Sequence, residues 1–182
     1  MKKVLFIALM AFAMTVSTDA LAQKFSGLDK SPMDMAAFPT DYKVSTKTAR
    51  IIYSRPQLKG RSLSELAPAG KVWRTGANEA AEVTFYADVN FGGKDIKAGT
   101  YSIFTIPGQG EWTVVLNKNL NQWGAYSYDE SADVARVSVP SAEDSNSLEE
   151  FSIVFKEAGA GFEMIMGWDK TRVAVPIVVA KS

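Results

Sequence analysis

Tyr101-Ser102-Ile103-Phe104-Thr105-Ile106-Pro107-Gly108-Gln109-Gly110-Glu111-Trp112-Thr113-Val114-Val115-Leu116 holds two apolar runs, rich in β-branched and aromatic residues, on either side of a Pro-Gly-Gln-Gly break. Such runs favour a pleated, half-buried surface, and the break supplies turn chemistry, so the stretch reads as a β-hairpin. The same signals recur on both sides of this stretch. Upstream, Val83 and Phe85 alternate with Glu82, Thr84 and Tyr86, and Gly92-Gly93 after Val89-Asn90-Phe91 invites a second tight hairpin. Lys47 to Tyr53 reads as a strand ended by Arg55-Pro56, because proline cannot donate to a central ladder.

Downstream, Ala135, Val137 and Val139 alternate with Arg136 and Ser138, and Phe151, Ile153 and Phe155 repeat the pattern. Phe162, Met164, Met166 and Trp168 do so again, and a last strand over Arg172 to Val179 is expected to turn back on them across Asp169-Lys170. Helical periodicity is nearly absent. Only Ser62-Leu63-Ser64-Glu65-Leu66 suggests a helical turn, with Ser62 and Glu65 spaced as a capping box. The fold class that follows is all-β, an antiparallel β-sandwich or jelly-roll-like barrel of about eight or nine strands.

At the N-terminus, Lys2 and Lys3 precede an apolar run from Val4 to Val16, and Ala20-Leu21-Ala22 provides small residues for cleavage before Gln23. That run is too short to cross about 30 Å of hydrocarbon, so residues 1–22 read as a signal peptide. Residues 23–40 lack periodicity and read as an N-terminal tether; residues 41–182 read as a single β domain. The expected location is the periplasm, with secretion beyond the outer membrane as the alternative and no stable membrane insertion after cleavage.

Removing 22 residues from 182 leaves 160, one domain with room for a core. Taking Lys2, Lys3 and Asp19 from 20 basic and 20 acidic side chains leaves 18 and 19. So balanced a chain offers no strong field for nucleic acid. There are no cysteines and no histidines. Disulfides and a Ser-His-Asp or Cys-His nucleophile are therefore excluded, zinc, copper and non-haem iron lose their commonest ligands, and no metal or cofactor is expected.

Polar chemistry is densest in Val72-Trp73-Arg74-Thr75-Gly76-Ala77-Asn78-Glu79-Ala80, flanked in sequence by Tyr53-Ser54-Arg55-Pro56 and Gln122-Trp123-Gly124-Ala125-Tyr126. These three groups are expected to converge. Candidate ligand-binding residues are Tyr53, Arg55, Trp73, Arg74, Asn78, Glu79 and Trp123. Arginine forks recognise carboxylate or phosphate in bidentate fashion, and Arg50, Arg55 and Arg61 could join Arg74 around an anion. Against this, Arg74 could pair with Glu79 or Asp41 to fix a loop. Exposed indoles stack on sugar rings, and Trp73 and Trp123 have polar neighbours, whereas Trp112 and Trp168 fall in phase with core residues. Asp129, Glu130 and Asp133 read as a solvated turn rather than a calcium loop. Carboxylates such as Glu79 with Glu82 or Asp129, or Tyr53 with Lys71, are the acid–base pairs a histidine-free enzyme could use.

Tyr53-Ser54-Arg55-Pro56, Lys59-Gly60-Arg61, Lys71 to Glu79, Ala98-Gly99-Thr100-Tyr101 with Phe104-Thr105-Ile106-Pro107, Glu111-Trp112-Thr113-Val114 and Gln122-Trp123-Gly124-Ala125-Tyr126 together resemble the DUF2911 family. The resemblance implies an exported all-β domain of a kind found mainly in Bacteroidota, and brings no catalytic residues with it. The functions expected are an exported binding module for a small anionic or glycan-like ligand, a structural domain docking onto an envelope protein, or a histidine-independent hydrolase or lyase.

Overall fold

The structure, a computed structural model, describes residues 24–180. The expected signal peptide lies outside the described residues. The chain forms β1 (Met33–Phe38), β2 (Ala49–Ser54), a one-turn helix α1 (Leu63–Leu66), β3 (Ala81–Phe85), β4 (Val89–Phe91), β5 (Lys94–Ile96), β6 (Gly99–Pro107), β7 (Glu111–Asn117), β8 (Asp133–Ala158) and β9 (Gly161–Val179). The strands make one nine-stranded sheet in the order β1-β2-β3-β6-β7-β8-β9-β4-β5, with every neighbouring pair antiparallel. β1 and β5 are its two ends, so the sheet is open and the barrel alternative falls away.

The sheet folds over on itself because β8 serves two partners in succession. Its first part, through Pro140, pairs with β7, and Ser141 to Ala158 pairs with β9. Rings on strands that are not neighbours then meet face to face across the interior. Phe38 of β1 stacks on Phe162 of β9 at 4.1 Å, and Tyr53 of β2 meets Phe151 of β8 edge-on at 5.7 Å. The alternation read in the sequence sets this core. Ala49, Ile51 and Tyr53 point inward from β2, Val83 and Phe85 from β3, Val114 and Leu116 from β7, and Phe162, Met164 and Met166 from β9. Full burial of such a side chain contributes about 1.5–3 kcal/mol.

Three expectations are corrected. The tether contains β1, whose Met-Asp-Met-Ala-Ala-Phe sequence lacks β-branched residues but pairs residue by residue with β2 and turns Ala36 and Phe38 onto the core. Ala135 to Val139 and Phe151 to Phe155 belong to one strand, β8. Phe162 to Trp168 and Arg172 to Val179 likewise belong to one strand, β9, with no reversal at Asp169-Lys170. Asp169 does adopt a φ of 46°, but a single left-handed residue bends the strand without reversing it. Between Glu143↔Thr171 and Leu148↔Asp169, β8 advances five residues while β9 advances two, so the surplus bulges out of the ladder. Arg172 secures the bend by donating to the carbonyls of Asp169 and Asn146.

Candidate functional site

The polar stretch before β3 is anchored at its first half, and in its second half Glu79 reaches solvent between buried Ala77 and Ala80. Trp73 exchanges backbone hydrogen bonds of 2.8 and 2.9 Å with Thr105, attaching this segment to β6. That pairing turns the Trp73 indole inward, where it stacks on Trp168 at 5.3 Å and meets Phe151 and Trp112 edge-on at 5.0 and 6.2 Å. The chain then makes a tight corner. Thr75 and Asn78 both have left-handed backbone, φ 55° and 59°, which costs a β-branched residue such as threonine on the order of 1–3 kcal/mol. Thr75 is fully buried, its hydroxyl bonded to that of Thr105 at 3.3 Å. A Cβ at Gly76 would stand 3.0 Å from the Ser54 carbonyl oxygen, so this position needs glycine as the corner presses against β2.

The loop after β7 completes the assembly. Ala80 donates to Gln122 and Gly124 donates to Asn78, at 2.8 and 2.9 Å, which places Glu79 and Trp123 opposite each other in a short antiparallel bridge. Asn121 donates its backbone N–H to Glu82 at 2.6 Å. The three polar groups therefore do converge. A hollow of about 190 Å³ lies over Ile52, Tyr53, Ser54, Glu79, Ala80, Glu82, Asn121 and Met33. A second hollow of about 270 Å³ shares Met33, Ser54 and Glu79 with it and adds Asp29, Ser31, Asn78 and Trp123. Together they form a cleft with three carboxylates and no lysine or arginine in its lining. The Ser31 N–H and then the Asn78 side chain, by bonding the charged form, hold the Asp29 carboxyl below its usual range.

The seven candidates divide. Asn78, Glu79 and Trp123 line the cleft, and Trp123 keeps 64% of its surface exposed. Trp73 is a core pillar, out of a ligand's reach. Tyr53 contributes to the floor, but its hydroxyl is committed: it donates to the Ile153 carbonyl at 3.2 Å and accepts from the Ile153 N–H at 2.9 Å, standing in for a neighbouring strand. Burial pushes its pKa up. Arg55 is a strut, donating to the Phe151 carbonyl, Ser152 Oγ and Asp34 at 3.1, 2.8 and 3.1 Å.

Arg74 fits neither sequence reading. It has no side-chain hydrogen bond or ion pair among the described residues, with Glu79, Asp41 or anything else, and its Nε is buried without an acceptor. Alternation with Trp73 sends it to the outer face with Val72, which packs on a small outer cluster of Ala80, Phe104 and Val115. Nor do the arginines gather: Arg50 lies beside Lys47 and Tyr86, and Arg61 is bonded to the carbonyls of Leu58 and Gln57.

Of the acid–base pairs, Glu79 and Glu82 share the cleft, whereas Tyr53 is occupied by Ile153. Asp129 caps a short 3-10 turn by accepting from Ser131, and Asp133 accepts from Asn117, Tyr128 and Arg136. Burial, then the bond to Asp133, pushes the Tyr128 pKa up. Among the described residues no cluster of three or more acidic side chains is arranged to hold a metal ion. The lining residues missed by sequence reasoning are Asp29, Ser31 and Met33, which lie in the presumed tether where no periodicity marks them, and Asn121.

An open, folded-over β-sheet carrying a rim cleft on its connecting loops is a scaffold-and-loop protein, in which strands supply rigidity and loops supply contacts. The chain belongs to the DUF2911 family, a protein family of unknown function, which it matches over residues 31–177. No match was found among curated proteins or solved structures.

Proposed function

We propose that this protein is an exported binding module that holds a small, glycan-like ligand in the cleft beside Trp123. The signal-peptide pattern of residues 1–22 supports export, with the periplasm as the expected location. The observation that carries the binding reading is the contrast among the four tryptophans. Trp73, Trp112 and Trp168 are buried, and Trp123 alone presents its indole to solvent, fixed by a backbone bridge next to Glu79. An indole face suits the apolar face of a pyranose, and Glu79, Asp29 and Asn78 suit its hydroxyl or amine hydrogens. The acidic lining disfavours an anion in this cleft, so the anionic alternative loses support there.

Titration with N,N′-diacetylchitobiose, read through tryptophan fluorescence, tests the proposal. Saturable quenching that disappears in Trp123→Ala while the melting temperature stays within a degree or two is the expected result. Quenching that persists in that variant sinks it. A second reading, docking onto an envelope protein, is favoured by the apolar strip of Met33, Met35 and Ile52, which are 62%, 50% and 43% exposed beside the cleft.

A further inference from the structure

Beyond the cleft, along the segment that enters β1, the charge of the surface reverses. A third hollow, about 440 Å³, is lined by Lys30, Ser31, Pro56, Gln57, Lys59 and Arg61. Ser31 lines both this hollow and the one beneath Trp123, so the two adjoin at that residue, and the second shares Met33, Ser54 and Glu79 with the first. At one end stand Glu79 and Glu82, with Asp29 between; at the other stand three cations and no carboxylate in the lining.

The cationic end has a fixed geometry. Arg61 donates Nε to the Leu58 carbonyl at 3.0 Å and Nη2 to the Gln57 carbonyl at 2.9 Å, so its guanidinium is held in place; Nη1 makes no hydrogen bond among the described residues, and the Glu65 carboxylate lies near enough to feel its charge. Lys59 sits in left-handed backbone at φ 49°, its N–H bonded to Glu149 Oε1 at 2.7 Å. That carboxylate takes the Lys59 backbone rather than its ammonium.

We infer that the three hollows form one dipolar groove, and that its ligand is a zwitterionic glycan, with an amine toward Glu79 and Glu82 and a carboxylate toward Lys59 and Arg61. The inference rests on the glycan reading of the Trp123 cleft and specifies its ligand. A neutral sugar uses only the indole and hydroxyl contacts. A ligand carrying both charges engages both ends, whereas a ligand with one charge gains at one end only.

Four disaccharides of similar size separate these cases, titrated into the mature chain at about pH 6 with calorimetry and tryptophan fluorescence. They are a glucosamine–uronic acid disaccharide, its N-acetylated form, a glucosamine–glucose disaccharide with one free amine, and N,N′-diacetylchitobiose. The zwitterion should bind about tenfold more tightly than either singly charged sugar, and the advantage should fade at about 1 M salt. Glu79→Gln should erase the gain from the amine and leave that from the carboxylate. Lys59→Gln and Arg61→Ala should each do the reverse, and agreement between them guards against a folding defect in the Arg61 variant. Equal, Trp123-dependent affinity for all four sugars overturns the dipolar inference and leaves the cleft reading standing. Absence of Trp123-dependent binding to any of them overturns both.

Discussion

Trp73 and Trp123 flank the same corner of the chain, and both stand among polar, turn-forming neighbours in sequence. The fold treats them oppositely. Trp73 pairs through its backbone with β6, so its indole is driven into a cage of Phe151, Trp112 and Trp168. Trp123 pairs through its backbone with Glu79, at the rim, so its indole is left in water. What separates them is which strand each bridge extends, a tertiary fact that no local composition encodes. A polar neighbourhood thus marks where the chain turns, and the register of the bridge then decides whether the aromatic ring is mortar or surface.

The sharpest way to stress the interior side is Met164→Asp. Met164 is fully buried and opposes Phe155 across the β8/β9 ladder. An unpaired carboxylate there costs several kcal/mol against a total stability of about 5–15 kcal/mol, so soluble accumulation should fail. Normal yield and melting would show that the inward face of β9 has been misassigned.

Next comes the tryptophan pair itself. Trp73→Ala should destabilise by about 3–5 kcal/mol, as expected for emptying a large aromatic site in a packed core. Trp123→Ala should change stability by no more than about 0.5 kcal/mol, in keeping with an exposed position. Urea unfolding of both variants measures the gap, and similar losses would erase the distinction.

Much of the fold was legible because burial repeats with the strand period. The β6/β7 and β4/β5 hairpins lie where their turn residues stand, and Ser62 and Glu65 bond reciprocally as a capping box. The convergence of the three polar groups was legible too. The roles within them were not. Tyr53 and Arg55 resemble ligand contacts in sequence, yet they serve the edge of β8 opposite β9, which is left without a strand because β7 pairs only as far as Pro140. β1 escaped notice because methionine and alanine carry little strand preference, and it is the pairing with β2 that makes them a strand.

Tyr53 offers a third, intermediate effect. Tyr53→Phe leaves the Ile153 N–H and carbonyl without their partner, which should cost about 1–3 kcal/mol. The tyrosine also has a pH signature. Its pKa in the folded protein is raised above 10.0, chiefly by burial, so the unfolded chain loses the phenolic proton first. The stability linked to this group is therefore complete below about pH 9 and falls as pH rises past the unfolded pKa. Unfolding series between about pH 8 and 11 should show a steeper alkaline loss in the parent than in Tyr53→Phe. Part of the slope should survive in the variant because Tyr128 is raised as well. Identical slopes would remove the hydroxyl's role as a neutral, buried bridge.

A small effect is also expected at Arg74, which alternates with Trp73 onto the outer face. A structural ion pair with Glu79 predicts a loss of about 3–5 kcal/mol on truncating the arginine, because a buried carboxylate would be stranded. Among the described residues no such pair is present: Glu79 lies at the rim, and the Arg74 Nε is buried without an acceptor. Arg74→Met keeps an unbranched aliphatic side chain and removes the unsatisfied Nε, so it should be neutral or slightly stabilising. Arg74→Ala also loses the stem and should cost no more than about 1 kcal/mol. Combined with Glu79→Ala in a double-mutant cycle without ligand, the coupling energy should stay within the roughly 0.3–0.5 kcal/mol seen for independent sites. A coupling above about 1 kcal/mol would tie Arg74 electrostatically to the cleft after all, and would move the division between scaffold and site from Trp73 to the residue that follows it.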